Sequence, residues 1–117
     1  MRYGKYRVSA PGDRTVDGIL FSSKAEMRRY NELRLLQKAK KIKDLAIQPK
    51  FLLLKGFTKN GKVYRPIHYV ADFIYYDIEK KKKVVEDVKG LETEVFKLKE
   101  KLFAFISDLE LIKVRMR

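Results

Sequence analysis

The dipeptide Asn60-Gly61 constrains this chain more than any other pair of residues. Asn and Gly accept the positive φ that a two-residue hairpin turn requires, and branched and aromatic residues flank them on both sides. AIQPKFLLLKGF before TKNGK and RPIHYVADFIYYD after it are therefore expected to be extended and joined as a hairpin. Pro49 falls near the start of the first, where a missing N–H is tolerated. DIEKKKK then reads as a turn into KVVEDVKG, a second hairpin.

Helical patterns enclose these strands. SSKAEMRRYNELRLLQKAKK predicts a helix capped by Ser22 or Ser23, with Tyr30, Leu33 and Leu36 as its apolar stripe. LETEVFKLKEKLFAFIS predicts another, because Leu91, Val95, Leu98, Leu102 and Phe105 are spaced four, three, four and three apart. DLELIKVR closes the chain as a last strand. The order is helix, three strands, helix, strand, an α/β (α+β) arrangement. Residues 1–20 carry Pro11, three glycines and no clear period, so they read as a basic arm. No repeat or linker divides the 117 residues, a length that suits one domain.

Composition narrows the function. With 45% hydrophobic residues the chain should fold, yet it contains no apolar run of membrane-spanning length. The N-terminus has no secretory signal, and the absence of cysteine excludes disulfides, thiolate metal sites and cysteine nucleophiles. A cytoplasmic location is the expectation. The formal net charge of +13 points to a polyanionic partner. Nucleic acid fits better than a membrane, because the cations are spread along the chain. A merely basic surface, or a ribosome-associated protein, is the plainer alternative.

At four places charged residues fall on faces that should be buried. Glu26 lies about 20° from Leu33 on the helical wheel, although Ser23-Lys24-Ala25-Glu26 also fits a capping box. Asp72 alternates with Val70 and Ile74, where a carboxylate needs a metal, a lysine or several donors, unless that face is exposed or carries a structural ion pair. Asp87 and Lys89 share a face with Val85, and a hairpin would bring Asp87 within about 5 Å of the Asp72 strand. Two such carboxylates repel unless a divalent cation lies between them, and a salt-bridged sheet face is the alternative. Lys99 projects about 40° from Val95, between Phe96 and Leu98, where it either works in a site or snorkels to water. Glu86 points away from Asp87 in a regular strand, and His68 is given no role.

The ordered set Glu26, Asp72 and Asp87-Val88-Lys89 on this element order resembles the PD-(D/E)XK nuclease superfamily. SSKAEMRRYNELRLL, IQPKF, RPIHYVADFIY and VVEDVKGLETEVFKLKEKLF are similar to a small phage and prophage family placed in that superfamily. The resemblance implies a restriction-endonuclease-like αβββαβ core, a mixed central sheet flanked by helices. It implies that Asp72 and Asp87 bind Mg²⁺ or Mn²⁺, helped by the Val88 carbonyl and by Glu26, directly or through water. Lys89 would position the attacking water, and Lys99 would be the auxiliary base of the following helix. Ala71 stands where the motif's proline does, a departure that changes little chemistry.

With the chain's size and charge, the resemblance implies branched DNA as substrate, because small single-domain members of the superfamily include Holliday-junction resolvases, which cut two strands as homodimers. No small-molecule cofactor and no membrane partner are expected. Arg2, Lys5, Arg7 and Arg14 in the arm, and Lys80, Lys81, Lys82 and Lys83 in the turn, are expected to clasp DNA backbone. Lys97 and Lys101 are surface lysines or phosphate contacts. A flap, nicking or single-strand nuclease would use the same residues. A non-catalytic nucleic-acid-binding or packaging protein would not need the acids.

Overall fold

The structure is a computed structural model that describes residues 9–115. A 3₁₀ turn (Pro11–Arg14) and a small hairpin, β1 (Thr15–Val16) and β2 (Ile19–Leu20), precede α1 (Lys24–Lys38). Seven strands follow: β3 (Ile42–Ile47), β4 (Lys50–Leu54), β5 (Phe57–Lys59), β6 (Lys62–Tyr64), β7 (Ile67–Val70), β8 (Phe73–Asp77) and β9 (Lys82–Val88). Then come α2 (Glu94–Ile106) and β10 (Glu110–Val114).

The central sheet has the order β10-β9-β8-β3. β10 runs parallel to β9, while β9, β8 and β3 are antiparallel in turn, so the sheet is mixed. One face packs Phe73, Tyr75 and Val84 under Leu33 of α1. The other packs Val85 under Phe96 and Phe103 of α2, rings whose burial contributes roughly 2–3 kcal/mol each. The result is an α/β fold with a helix on each face, and its core elements run helix, three strands, helix, strand. β4 to β7 are inserted between the first two sheet strands. Among the described residues no helix is long and apolar enough to cross a membrane.

Four details differ from the sequence expectation. Asp17 and Gly18 have φ of 53° and 73°, so the arm holds a tight Asp-Gly hairpin that its lack of period concealed. The extended segment expected over AIQPKFLLLKGF is divided: β3 begins earlier, at Ile42, and stops at Ile47, because Gln48 turns at φ 51° and Pro49 lacks a donor, and β4 takes Lys50–Leu54. RPIHYVADFIYYD is two strands and not one: β7 pairs with β4, β8 pairs with β3 and β9, and the chain breaks at Ala71-Asp72. Val70 is thus exposed on a different ladder from Ile74. The fourth correction concerns α2. Its buried face is Phe96 and Phe103, while Leu91, Val95, Leu98 and Phe105 of the expected stripe are exposed.

The Asn60-Gly61 expectation holds. β5 and β6 pair antiparallel across it, with φ of 51° and 75° at the two turn residues. The turn from Asp77 into β9 also holds, with Lys81 at φ 57°.

Candidate active site

β8 and β9 pair Phe73 with Glu86, and the Asp72 N–H donates to the Glu86 carbonyl at 3.1 Å. Carried one residue further, this register sets Asp72 across from Asp87. Asp72 sits at the break before β8, where the chain turns from the β4–β7 ladder into the central sheet. Its Oδ2 accepts a hydrogen bond from the Val88 N–H at 2.6 Å. The Asp72 carboxyl is pushed up to about 8, first by burial, then by the negative charge of Glu26, with Asp87 adding to it. The Val88 N–H opposes that rise but does not cancel it.

Asp87, at the end of β9, is buried at 5% exposure. Its Oδ1 pairs with Lys89 Nζ at 3.0 Å, and its Oδ2 accepts a hydrogen bond from the Tyr69 hydroxyl. Burial and then the Asp87 carboxylate raise the Tyr69 hydroxyl well above its ordinary range, so Tyr69 remains a donor. The Lys89 ammonium also lies 3.6 Å from the centroid of the Phe96 ring, which steadies it on the α2 side.

Glu26 stands in the first turn of α1. Ser23 caps the helix by accepting from the Glu26 N–H at 3.1 Å, the forward half of a capping box. The Glu26 carboxylate is engaged by the Ser22 hydroxyl, and it stays close enough to Asp72 to shift its titration. Lys99 lies half-buried on α2.

One open pocket of about 370 Å³ gathers these groups: Glu26, Asp72, Asp87, Val88, Lys89 and Lys99 all line it. Tyr69, which sequence reasoning missed, is there too. Its only sequence signal was a large polar ring three residues before Asp72, in a stretch where aromatic residues are common.

The expected DNA contacts are placed less favourably. Arg2, Lys5 and Arg7 lie outside the described residues. Arg14 is tied inward, donating to the carbonyls of Ser9 at 2.7 Å and Phe21 at 2.5 Å. Lys80, Lys81, Lys82 and Lys83 are exposed, but they occupy the opposite end of β9 from Asp87. Four strand steps separate Lys83 from Asp87, roughly 13 Å, so this turn lies well back from the pocket. Lys82 is paired with Glu110 at 2.6 Å, and Lys97 with Glu94 at 3.3 Å. Lys101 is exposed on α2.

Among the described residues, no three His, Cys, Asp or Glu side chains are gathered tightly enough to hold a metal ion by themselves. The donors that do meet are hard oxygens, with one carboxyl pushed toward protonation by its neighbours. That chemistry fits a hard divalent cation which takes few protein ligands and keeps several waters.

A family model described as "Protein of unknown function (DUF1064)" matches residues 4–115, and the chain belongs to that family. No curated protein and no solved structure matches it.

Proposed function

We propose that this protein is a metal-dependent DNA endonuclease of the PD-(D/E)XK kind, acting on branched DNA as a Holliday-junction resolvase does. The observation that carries the reading is the convergence of Glu26, Asp72, Asp87, Lys89 and Lys99 on one pocket, from α1, the break before β8, the end of β9 and α2. A purely structural ion pair would not need an open pocket over it.

In this reading Asp72 and Asp87 hold Mg²⁺ or Mn²⁺ together with the Val88 carbonyl, and Glu26 reaches it through water or directly. When bound, the ion lowers the pKa of a coordinated water and neutralises charge on the scissile phosphate. Lys89 exchanges its pairing with Asp87 for the phosphate and the attacking water, and the Phe96 ring keeps the ammonium at the pocket wall. Lys99, one turn after Phe96 on α2, supplies a second positive charge at the same pocket. Tyr69 holds the Asp87 carboxylate in place.

Symmetric cutting needs two copies, and α2 offers a surface for a second one. Val95, Leu98 and Phe105 are exposed, Phe105 at 88%, on a stripe with the spacing of a helix–helix seam. An antiparallel pairing that sets Val95 against Leu98 of the partner subunit also sets Glu94 against Lys101 of the partner subunit. Two-fold symmetry repeats both contacts. Glu94→Lys should therefore give monomers by analytical ultracentrifugation, and adding Lys101→Glu should restore the dimer. A wild type that is monomeric at all concentrations refutes this pairing.

The activity is tested with labelled four-way junction, flap, single-stranded and duplex DNA, in Mg²⁺, Mn²⁺ or EDTA, with Asp87→Ala alongside. Paired cuts in the junction that vanish in EDTA and in the variant support the resolvase. Preference for another substrate keeps the site and changes the biology. Tight binding without cleavage in either metal rejects the enzyme.

A further inference from the structure

Residues 45–71 contain no aspartate or glutamate, yet they include Lys50, Lys55, Lys59, Lys62 and Arg65. The same stretch builds a two-part ribbon, β4 with β7 and then β5 with β6. Every residue of β5 and β6 is exposed. The chain's radius of gyration is 16.4 Å, where about 13 Å is usual for a compact domain of this length. The excess fits an arm that stands away from the body.

The arm is fixed at its base and at its joint. Phe51 meets Phe103 of α2 at 4.8 Å between ring centroids, and Tyr69 meets the same ring at 5.6 Å. At the joint between the two ladders, Gly56 lies so close to Pro66 and to the Tyr64 carbonyl that a Cβ there would sit 3.1 Å from each. At the tip side, the Phe57 and Tyr64 rings stack at 4.7 Å with an interplanar angle of 13°, and both remain exposed. Lys62 Nζ lies 5.0 Å from the Tyr64 ring centroid. The stacked pair steadies the hairpin by about 0.5–1 kcal/mol, yet both rings keep an outer face in solvent. They present π faces and positive charge together.

We propose that this ribbon is a nucleic-acid arm: its cations hold backbone phosphates away from the cutting site, and Phe57 and Tyr64 stack on unpaired bases. The inference rests on the nuclease reading above and extends it to the substrate, DNA with unpaired or unstacked bases. Placement supports it, because the ribbon springs from the pocket itself, whose wall includes Tyr69, Val70 and Asp72. Fully extended, the ten steps from Lys50 to Asn60 reach at most about 33 Å, on the scale of one helical turn of duplex DNA. A strand cut at Asp72 and Asp87 would therefore meet the arm's tip within about one turn. Aromatic stacking suits this task because every base has a π face.

Fluorescence anisotropy in EDTA, with labelled duplex, single-stranded and four-way-junction DNA over a salt series, tests the arm without cleavage. Lys55→Ala, Lys59→Ala, Lys62→Ala and Arg65→Ala together should weaken binding to all three by about 30-fold and make the salt dependence shallower by roughly three to four phosphate contacts. A control removes the same charge from Lys38, Lys40, Lys41 and Lys43, exposed residues at the end of the fold away from the pocket; it should lose only a few-fold. Phe57→Ala with Tyr64→Ala should cost about tenfold on single-stranded and junction DNA and less than about twofold on duplex. Equal losses in the arm and control variants would mean that net charge alone matters, and would overturn the inference. So would an aromatic variant that binds single strands like the wild type. The two readings fail separately. If the wild type never cleaves while arm variants lose binding, the arm stands and the nuclease falls. If the wild type cleaves and the arm variants bind undiminished, the reverse holds.

Discussion

Glu86 and Asp87 are adjacent acids on one strand, both buried, and they have opposite fates. Glu86, at 1% exposure, faces α1. Arg29 grips it with two hydrogen bonds of 2.7 Å, to Oε1 and Oε2, and the Tyr75 hydroxyl donates to Oε2 as well. Those bonds with Glu86 hold the Arg29 guanidinium above its ordinary range. Asp87 faces α2 and opens on a pocket it shares with Asp72 and with a lysine. Burial and charge alone therefore do not mark a working site. Glu86 is closed off by groups that match its geometry, whereas Asp87 sits beside a second carboxyl whose charge the Val88 N–H offsets only in part.

The largest expected difference between the two acids is in activity. Asp87→Asn and Lys89→Ala should each lower cleavage at least about a thousandfold, the scale at which removing a charge-stabilising group acts, and Asp87→Asn should melt near the wild-type temperature. Glu86→Gln should leave more than a tenth of the cleavage rate in whatever fraction folds. If Glu86→Gln abolished cleavage while Asp87→Asn did not, the roles assigned to the two faces would be reversed.

Stability should separate them in the opposite sense. Arg29→Ala strands a buried carboxylate, and such breaks cost about 3–5 kcal/mol. Urea denaturation followed by circular dichroism would register that loss. A cost below about 1 kcal/mol would show that the Glu86 network is dispensable, and the contrast with Asp87 would lose its structural half.

Alternation alone made part of this contrast legible in the sequence. In an extended strand Glu86 and Asp87 must point to opposite faces, and they do. The convergence of Asp72 on Asp87 was also readable, because a tight lysine-rich turn fixes the β8–β9 register. The break at Ala71-Asp72 was not. IHYVADFIYY reads as one unbroken apolar run, and only the insertion of the β4–β7 ladder decides which half joins which sheet. α2 misled for a related reason. Its most regular apolar spacing is the exposed stripe, while the core takes Phe96 and Phe103, seven residues apart. Periodicity shows that an apolar face exists, not what covers it. Arg29 was out of reach, since a cation 57 residues from its partner leaves no local trace.

Asp72 sharpens the comparison through pH. Its folded carboxyl titrates near 8, above the ordinary carboxylate range of the unfolded chain, so the folded state prefers the proton. Stability from this group is full below about pH 4 and is lost as pH rises toward 8. The metal-free protein should therefore lose on the order of 3 kcal/mol from this group between pH 5 and 8.5, less whatever solvent screening removes. Asp72→Asn should flatten that slope, and Mg²⁺ should raise the melting temperature more at pH 8.5 than at pH 5. A wild type whose stability rises over that interval, with Asp72→Asn tracking it, would remove Asp72 from the strained pair.

Tyr69 gives the smallest effect and divides positioning from catalysis. Tyr69→Phe removes one donor from Asp87 while Lys89 remains, and losing such a bond costs about 1–2 kcal/mol. If Tyr69 only fixes the Asp87 rotamer, the variant should cleave within about tenfold of the wild type, and raising the Mg²⁺ concentration should recover much of the deficit. The shape of its pH–rate profile should not change, because the Tyr69 hydroxyl stays protonated throughout the working range. A loss as complete as that of Asp87→Asn, unrelieved by metal, would mean that the hydroxyl meets the substrate. Asp87 would then belong, like Glu86, to a network whose first task is to be held.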